Sequence, residues 1–391
     1  MNIATSGGGG MQYGLNEEQK MLQESIRELA RDKIEPRAIE IDETGEYPWD
    51  ILELFKENEI IGLPFEEKYG GQGADLLTLC VAIEEIAKVC VNSSLILGCQ
   101  ELGSTPIKIA GTDDQKMKYL PPLASGEKLC AFGLTEPEAG SDAASMKTRA
   151  QKKGDVYVLN GTKCFITNGG IADTYCIFAM TDPDKGVRGI SVFVVEKGTP
   201  GFDFGKHENK MGIRGSVTRE LLFDDCEVPA ENLLGKEGAG FKVAMMTLDR
   251  TRSSIGAQGL GVAAGALEYT INYMKERVQF GRPIAALQGL QFMVADLGMQ
   301  VEAARQLVYY SACLVDAKAP GFSGISAMAK CYATDTAMKV TTDCVQLMGG
   351  YGYIKEYPME RMMRDAKITQ IYEGTNQIQR VVISRHLLGK I

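Results

Sequence analysis

The spacing of apolar side chains divides the chain into three stretches. Between residues 16 and 120 apolar positions recur at helical intervals: Met21, Ile26 and Leu29, then Ile51, Leu54 and Phe55, then Ile83, Ile86 and Val89. The turn-prone run Tyr69-Gly70-Gly71-Gln72-Gly73 punctuates them. Residues 77–102 read as mostly helix, apolar over most of the circumference. Glu84, Glu85 and Lys88 are among their few charges, so this helix belongs largely in an interior.

From about 133 to 240 the period shortens. Residues 155–159 form a β-prone run, Asn160-Gly161 predicts a tight hairpin turn, and 162–167 would be the return strand. Further strands are predicted at 174–180, 190–195 and 220–223, with Gly198-Thr199-Pro200-Gly201 as a break. This is the pattern of a compact β unit, a small barrel or sandwich. From about 241 the helical period returns. Leu287, Leu290, Val294, Leu297, Val301, Ala304, Leu307 and Val308 mark one buried face. A Gly-rich break at 348–353 precedes a last helix at 377–388. The expected domains are helical 11–132, β 133–240 and helical 241–391.

Composition narrows the function. The length of 391 residues allows two or three domains. A net charge of −9 argues against nucleic acid as a partner but leaves room for a phosphorylated ligand held by local arginines and helix N-termini. Two histidines, His207 and His386, argue against an imidazole metal site and a Ser-His-Asp hydrolase. None of the ten cysteines lies within three residues of another, so they read as buried free thiols in a reducing compartment. No run of ~18 uncharged apolar residues predicts a membrane span. Residues 1–10 fit neither a transit peptide nor a secretory signal. Gly7 to Gly10 read as a flexible leader or an expression remnant, with Met11 as an alternative start. The expected location is cytoplasmic, or the mitochondrial matrix for a processed eukaryotic chain.

Three segments carry candidate chemistry. Gly133-Leu134-Thr135-Glu136-Pro137-Glu138-Ala139-Gly140-Ser141-Asp142 combines small residues, which admit a ligand close to the backbone, with hydroxyls. Read alone it is a capped turn. Phe165-Ile166-Thr167-Asn168 follows the predicted hairpin, and read alone Phe165 is core. Gln370-Ile371-Tyr372-Glu373-Gly374-Thr375-Asn376-Gln377 sets one carboxylate between an aromatic ring and a glycine. A carboxylate with few cations nearby can become a strong base once a substrate displaces water around it, while read alone Glu373 is a loop carboxylate capping a helix.

These segments, in this order, resemble the signatures of the acyl-CoA dehydrogenase family, and the resemblance runs from Leu15 to Leu388. It implies a fold that is mainly α with a β middle domain, an α / β-barrel / α four-helix-bundle architecture with FAD at the junctions. It also implies α,β-dehydrogenation of an acyl-CoA thioester to the 2-enoyl-CoA. Glu373 would abstract the Cα proton and flavin N5 would take the Cβ hydride, with electrons passed to an electron-transferring flavoprotein. Some relatives place the base at the position of Thr251, which a threonine cannot fill. By the same resemblance, the flavin ring would be met by Phe132, Leu134, Thr135, Phe165 and Thr167. Ser141 would sit near the flavin phosphates and the CoA arm. Arg277, Phe280, Gln288, Gln346, Gly349 and Gly350 would contact FAD, several of them from a neighbouring subunit, and Thr375 and Gln377 would add flavin contacts. Asp249 and Arg252 would hold the CoA arm, with Tyr372, Gly374 and Leu95 at the acyl group. No metal is implied, and a homo-oligomer, commonly a tetramer, is. Val89 to Leu102 contains no arginine, which argues against a terminal carboxylate on the substrate, and Leu95 would shorten the pocket, which favours a short acyl chain. Branched, cyclic and medium chains remain open. Two other readings compete: an enoyl-CoA reductase running the reverse reaction, and a catalytically inactive scaffold.

Overall fold

The computed structural model describes residues 14–389. Gly7 to Gly10 and Met11 lie outside the described residues. Six helices come first: α1 (Glu17–Leu29), α2 (Ala38–Thr44), α3 (Trp49–Glu57), α4 (Leu76–Ala87), α5 (Val91–Ala110) and α6 (Asp113–Ala124). The helical run expected over 77–102 is therefore two helices, parted at Lys88–Cys90. Glu84 and Glu85 are buried in α4, and each has partners. Arg305 and Tyr309 donate to Glu84, while Arg27, Gln23 and Lys88 donate to Glu85. Interior carboxylates persist where such bonds replace water.

Seven strands follow: β1 (Cys130–Gly133), β2 (Arg149–Lys153), β3 (Val156–Thr167), β4 (Thr174–Met180), β5 (Ile190–Glu196), β6 (Phe202–His207) and β7 (Thr218–Pro229). They form one sheet in the order β1-β4-β2-β3-β7-β6, with β5 also on β4. The predicted hairpin at Asn160-Gly161 does not form. The chain runs straight through as β3, and the register against β7 slips between Leu159 and Gly161, a β-bulge. Glycine serves there because a Cβ on Gly161 would meet the Thr148 backbone at 2.7 Å. Asn160 instead pairs with Asp225 across the sheet (2.9 and 3.1 Å).

The C-terminal part comprises α7 (Gly240–Glu276), a hairpin of β8 (Val278–Gln279) and β9 (Arg282–Pro283), α8 (Gln288–Asp316), α9 (Phe322–Met348), α10 (Gly350–Tyr353), α11 (Met359–Thr369) and α12 (Asn376–Leu388). Helix α7 packs against α9, α8, α4 and α5, which puts it at the centre of the helical part. The face predicted for α8 is the buried one, with Leu297, Val301, Ala304 and Val308 enclosed. All ten cysteines are free, and only Cys313 is exposed. No described helix is long and apolar enough to cross a membrane.

Candidate active site

Glu373 lies in the turn between α11 and α12. Its backbone is left-handed (φ 52°), as is that of Gly374 (φ 91°). Two such residues in succession reverse the chain tightly. The second must be glycine, since a Cβ there would also strike the Gln379 amide at 2.7 Å. The turn is clamped from below. Lys330 Nζ on α9 donates to the Gly374 carbonyl (2.9 Å) and to Asn376 Oδ1 (2.9 Å), and Gln379 Nε2 donates to Gly374 O (2.9 Å). Thr375 caps α12 by accepting from the Ile378 N–H (3.3 Å), while Gln377 is exposed on its first turn.

The Glu373 carboxylate points at α7, where Thr251 Oγ1 donates to it at 2.5 Å. Positions 251 and 373 therefore face each other directly. Burial pushes the Glu373 pKa up to about 7, with the Glu101 charge adding to the rise and Thr251, Lys330 and Arg252 opposing it. Burial also pushes Lys330 down to about 8, against the pull of Glu373. Arg252 is buried in an ion pair with Asp249, and its Nε has no hydrogen-bond partner. The Tyr372 hydroxyl donates to Gln258 Oε1, and Gln258 Nε2 donates to Ser94 Oγ on α5 (2.8 Å). Leu95 is buried beside it. Over 91–100 every residue is buried except Gly98, where a Cβ would meet nothing within 4 Å. Gly98 therefore faces open space.

The β-domain residues assemble around β1 and β3. The Cys164 N–H donates to the Thr135 carbonyl (2.9 Å), and Lys163 Nζ donates to the Leu134 carbonyl (3.2 Å) and to Glu136 (2.7 Å). This joins the two signature segments side by side. Phe165 is not core. Its φ is +56°, at a second slip in the β3–β7 register, and the ring is 64% exposed. A bare aromatic ring on a strained bulge residue, next to Thr135 and Thr167, is a surface fitted to a planar ring system. Phe132 packs on Phe178 at 4.9 Å, and Ser141 is exposed.

A further group gathers at the end of α7. The Arg277 guanidinium lies over Tyr351 (5.1 Å), which follows Gly349 and Gly350. Gly349 and Gly350 are open to any approaching group, and Gln346 and Gln288 are exposed. Phe280, at the hairpin tip, is 89% exposed.

Sequence reading missed Glu101, Gln258 and the clamp by Lys330. A lysine inside Ala327-Met328-Ala329-Lys330-Cys331 was the available signal, because a lone charge on an apolar stretch needs a buried partner.

A buried carboxylate raised to about 7 can serve as a base, and the exposed aromatic ring on the β domain offers a face to a planar group. The chain matches the acyl-CoA dehydrogenase N-terminal domain over 16–127, the middle domain over 131–226 and the C-terminal domain over 238–388. A short-chain specific acyl-CoA dehydrogenase of Clostridium acetobutylicum is 51% identical over 97% of this chain and 100% of its own. The butyryl-CoA dehydrogenase of Megasphaera elsdenii superposes with a TM-score of 0.94 at 49% identity, covering 97% of this chain and 100% of that one. A chain in the solved structure of the electron transferring flavoprotein of Acidaminococcus fermentans gives a TM-score of 0.95 at 52% identity, with coverage of 97% and 100%. The chain belongs to the acyl-CoA dehydrogenase family and is a flavin-dependent acyl-CoA dehydrogenase.

Proposed function

We propose that the protein dehydrogenates a short-chain acyl-CoA to the 2-enoyl-CoA, with Glu373 as the base that removes the Cα proton. One observation carries this: a carboxylate raised to about 7 and held by Thr251 in a clamped glycine turn. A base matched to working pH is efficient because it is both ionised and proton-hungry. Bound FAD supplies the hydride acceptor for Cβ. Phe132, Leu134, Thr135, Phe165 and Thr167 would hold its ring, and Ser141 its phosphates. Thr375 and Gln377 would add contacts at the start of α12. Arg277, Phe280, Gln288, Gln346, Gly349 and Gly350 would serve the FAD of a second copy. The near-complete exposure of Phe280 supports that reading, since a bare phenyl ring at a hairpin tip calls for a cover. Asp249 and Arg252 would hold the CoA arm, with Tyr372, Gly374 and Leu95 around the acyl group. Electrons would leave to an electron-transferring flavoprotein.

Anaerobic titration of the purified holoenzyme with butyryl-, isobutyryl-, cyclohexanecarboxyl-, glutaryl- and octanoyl-CoA tests this. Butyryl-CoA is expected to bleach the oxidised flavin band fastest. Bleaching by none of the five would refute the proposed direction and substrate class together.

Two further outcomes are expected. The acid limb of kcat/KM should fall about tenfold per pH unit below about 7, because only ionised Glu373 accepts the proton. A flat profile between pH 5.5 and 8 would remove Glu373 from the role. Gly98→Ala should raise stability by about 0.4–1 kcal/mol, since α5 is helical there and the new methyl meets nothing. The same methyl should slow octanoyl-CoA more than butyryl-CoA, as steady-state kinetics on both substrates would show.

A further inference from the structure

Thr251, which holds Glu373, has a second hydroxyl one turn further along the same face of α7, that of Ser254. Ser254 Oγ donates to Glu101 Oε2 at 2.5 Å, and Arg250 Nε donates to Oε1 of the same carboxylate at 3.2 Å. Glu101 reaches in from α5, three residues beyond Gly98, and is wholly buried. Two carboxylates thus hang from successive turns of one helix, their anchors about 4.5 Å apart along its axis at ~1.5 Å per residue.

We propose that Glu101 is a positioning residue for the dehydrogenation, whose fixed negative charge keeps Glu373 a strong base. The inference rests on the reading of Glu373 as that base. A like charge held one helical turn away in a water-poor site disfavours ionisation of its neighbour and so strengthens the neighbour's hold on a proton. The other charged and titratable groups facing Glu373 are Arg252 on α7, Lys330 on α9, Cys99 on α5 and the adjoining Tyr372. Both cations pull the other way, and Lys330 is occupied with the turn carbonyl and Asn376. Around Glu101 stand Arg250, Lys108 on its own helix and Cys80 on α4. Arg250 divides its charge, since it also lies 3.6 Å from Asp316 on α8. The direction of the Glu373 shift agrees, with burial first and Glu101 the next group acting to raise it.

The test is the pH profile of kcat/KM for the holoenzymes of wild type, Glu101→Gln and Glu101→Asp. Glutamine preserves the shape and the bonds to Ser254. Its acid limb should move to lower pH by about one unit. Aspartate keeps the charge and should restore the wild-type limb. A Glu101→Gln limb that coincides with wild type, at unchanged FAD content and melting temperature, overturns the proposal. Where Glu101→Gln does not fold, a Glu101→Asp limb displaced from that of the wild type overturns it. Glu373→Gln run alongside separates the two readings. Full flavin reduction in that variant defeats Glu373 as the base, whereas an inactive Glu373→Gln with an unmoved Glu101→Gln defeats only the role of Glu101.

Discussion

Glu373→Gln is expected to slow the bleaching of the bound flavin by acyl-CoA by about 10²–10⁴-fold, the usual worth of a positioned general base. The amide copies the shape of the carboxylate and can still accept from Thr251, so the turn clamped by Lys330 and Gln379 should stay in place. What it loses is the capacity to take a proton. Substrate affinity should therefore change only a few-fold, and flavin content not at all. Stopped-flow reduction, with a parallel binding titration, separates the two terms. Bleaching near the wild-type rate would mean that another group removes the Cα proton, and the nearby carboxylate of Glu101 would be the first to test. A large rise in dissociation constant without a fall in rate would instead make Glu373 a binding residue.

How far this site could be read from the sequence depends on the range of the interactions that build it. Local signals singled out Glu373, because the Tyr-Glu-Gly run and the helix start after it lie within one short segment, but on their own they favoured a helix-capping loop carboxylate, and the role of base came only with the family resemblance. They were sufficient for β4, the C-terminal helix and the buried face of α8, where the period of apolar residues is a property of neighbours in the chain. They misled at Asn160-Gly161, since the same dipeptide that makes a hairpin turn also suits a bulge, and only contact with Thr148 and Asp225 decides between them. Strand β2 escaped notice because Ala150 is its only buried residue, so it shows no alternation. Phe165 reads as core by type and is exposed by position, a conflict between local preference and fold of the kind that marks functional sites. Glu101 could not be found this way. Its partners Arg250 and Ser254 stand about 150 residues away, and nothing in the α5 sequence announces them.

Lys163→Met is expected to destabilise the protein by about 3–5 kcal/mol, the cost of breaking a buried ion pair from one side. Lys163 is fully buried on β3, and Glu136 is nearly so, with their charged atoms 2.7 Å apart. Burial pushes Lys163 down to about 8 even with Glu136 beside it. Burial alone would raise Glu136, yet Lys163 and the N–H groups of Lys147 and Thr148 hold it below the usual carboxylate range. Methionine matches the length of the lysine stem but offers no donor. Glu136 would then keep two backbone bonds and lose its counter-charge, and the Leu134 carbonyl would lose its side-chain donor. The damage should concentrate where residues 134–135 meet 164–167, the surface assigned to the flavin ring. Two readings check this: a lower melting temperature of the apoprotein, and a melting point that recovers as free FAD is raised, because a ligand that binds only the folded form stabilises it by mass action. Lys163→Arg keeps the charge and should lose less, limited by the room for a guanidinium in a site with no exposed surface. If Lys163→Met melts with the wild type and retains FAD equally well, the pair is not what holds the two flavin-facing segments together.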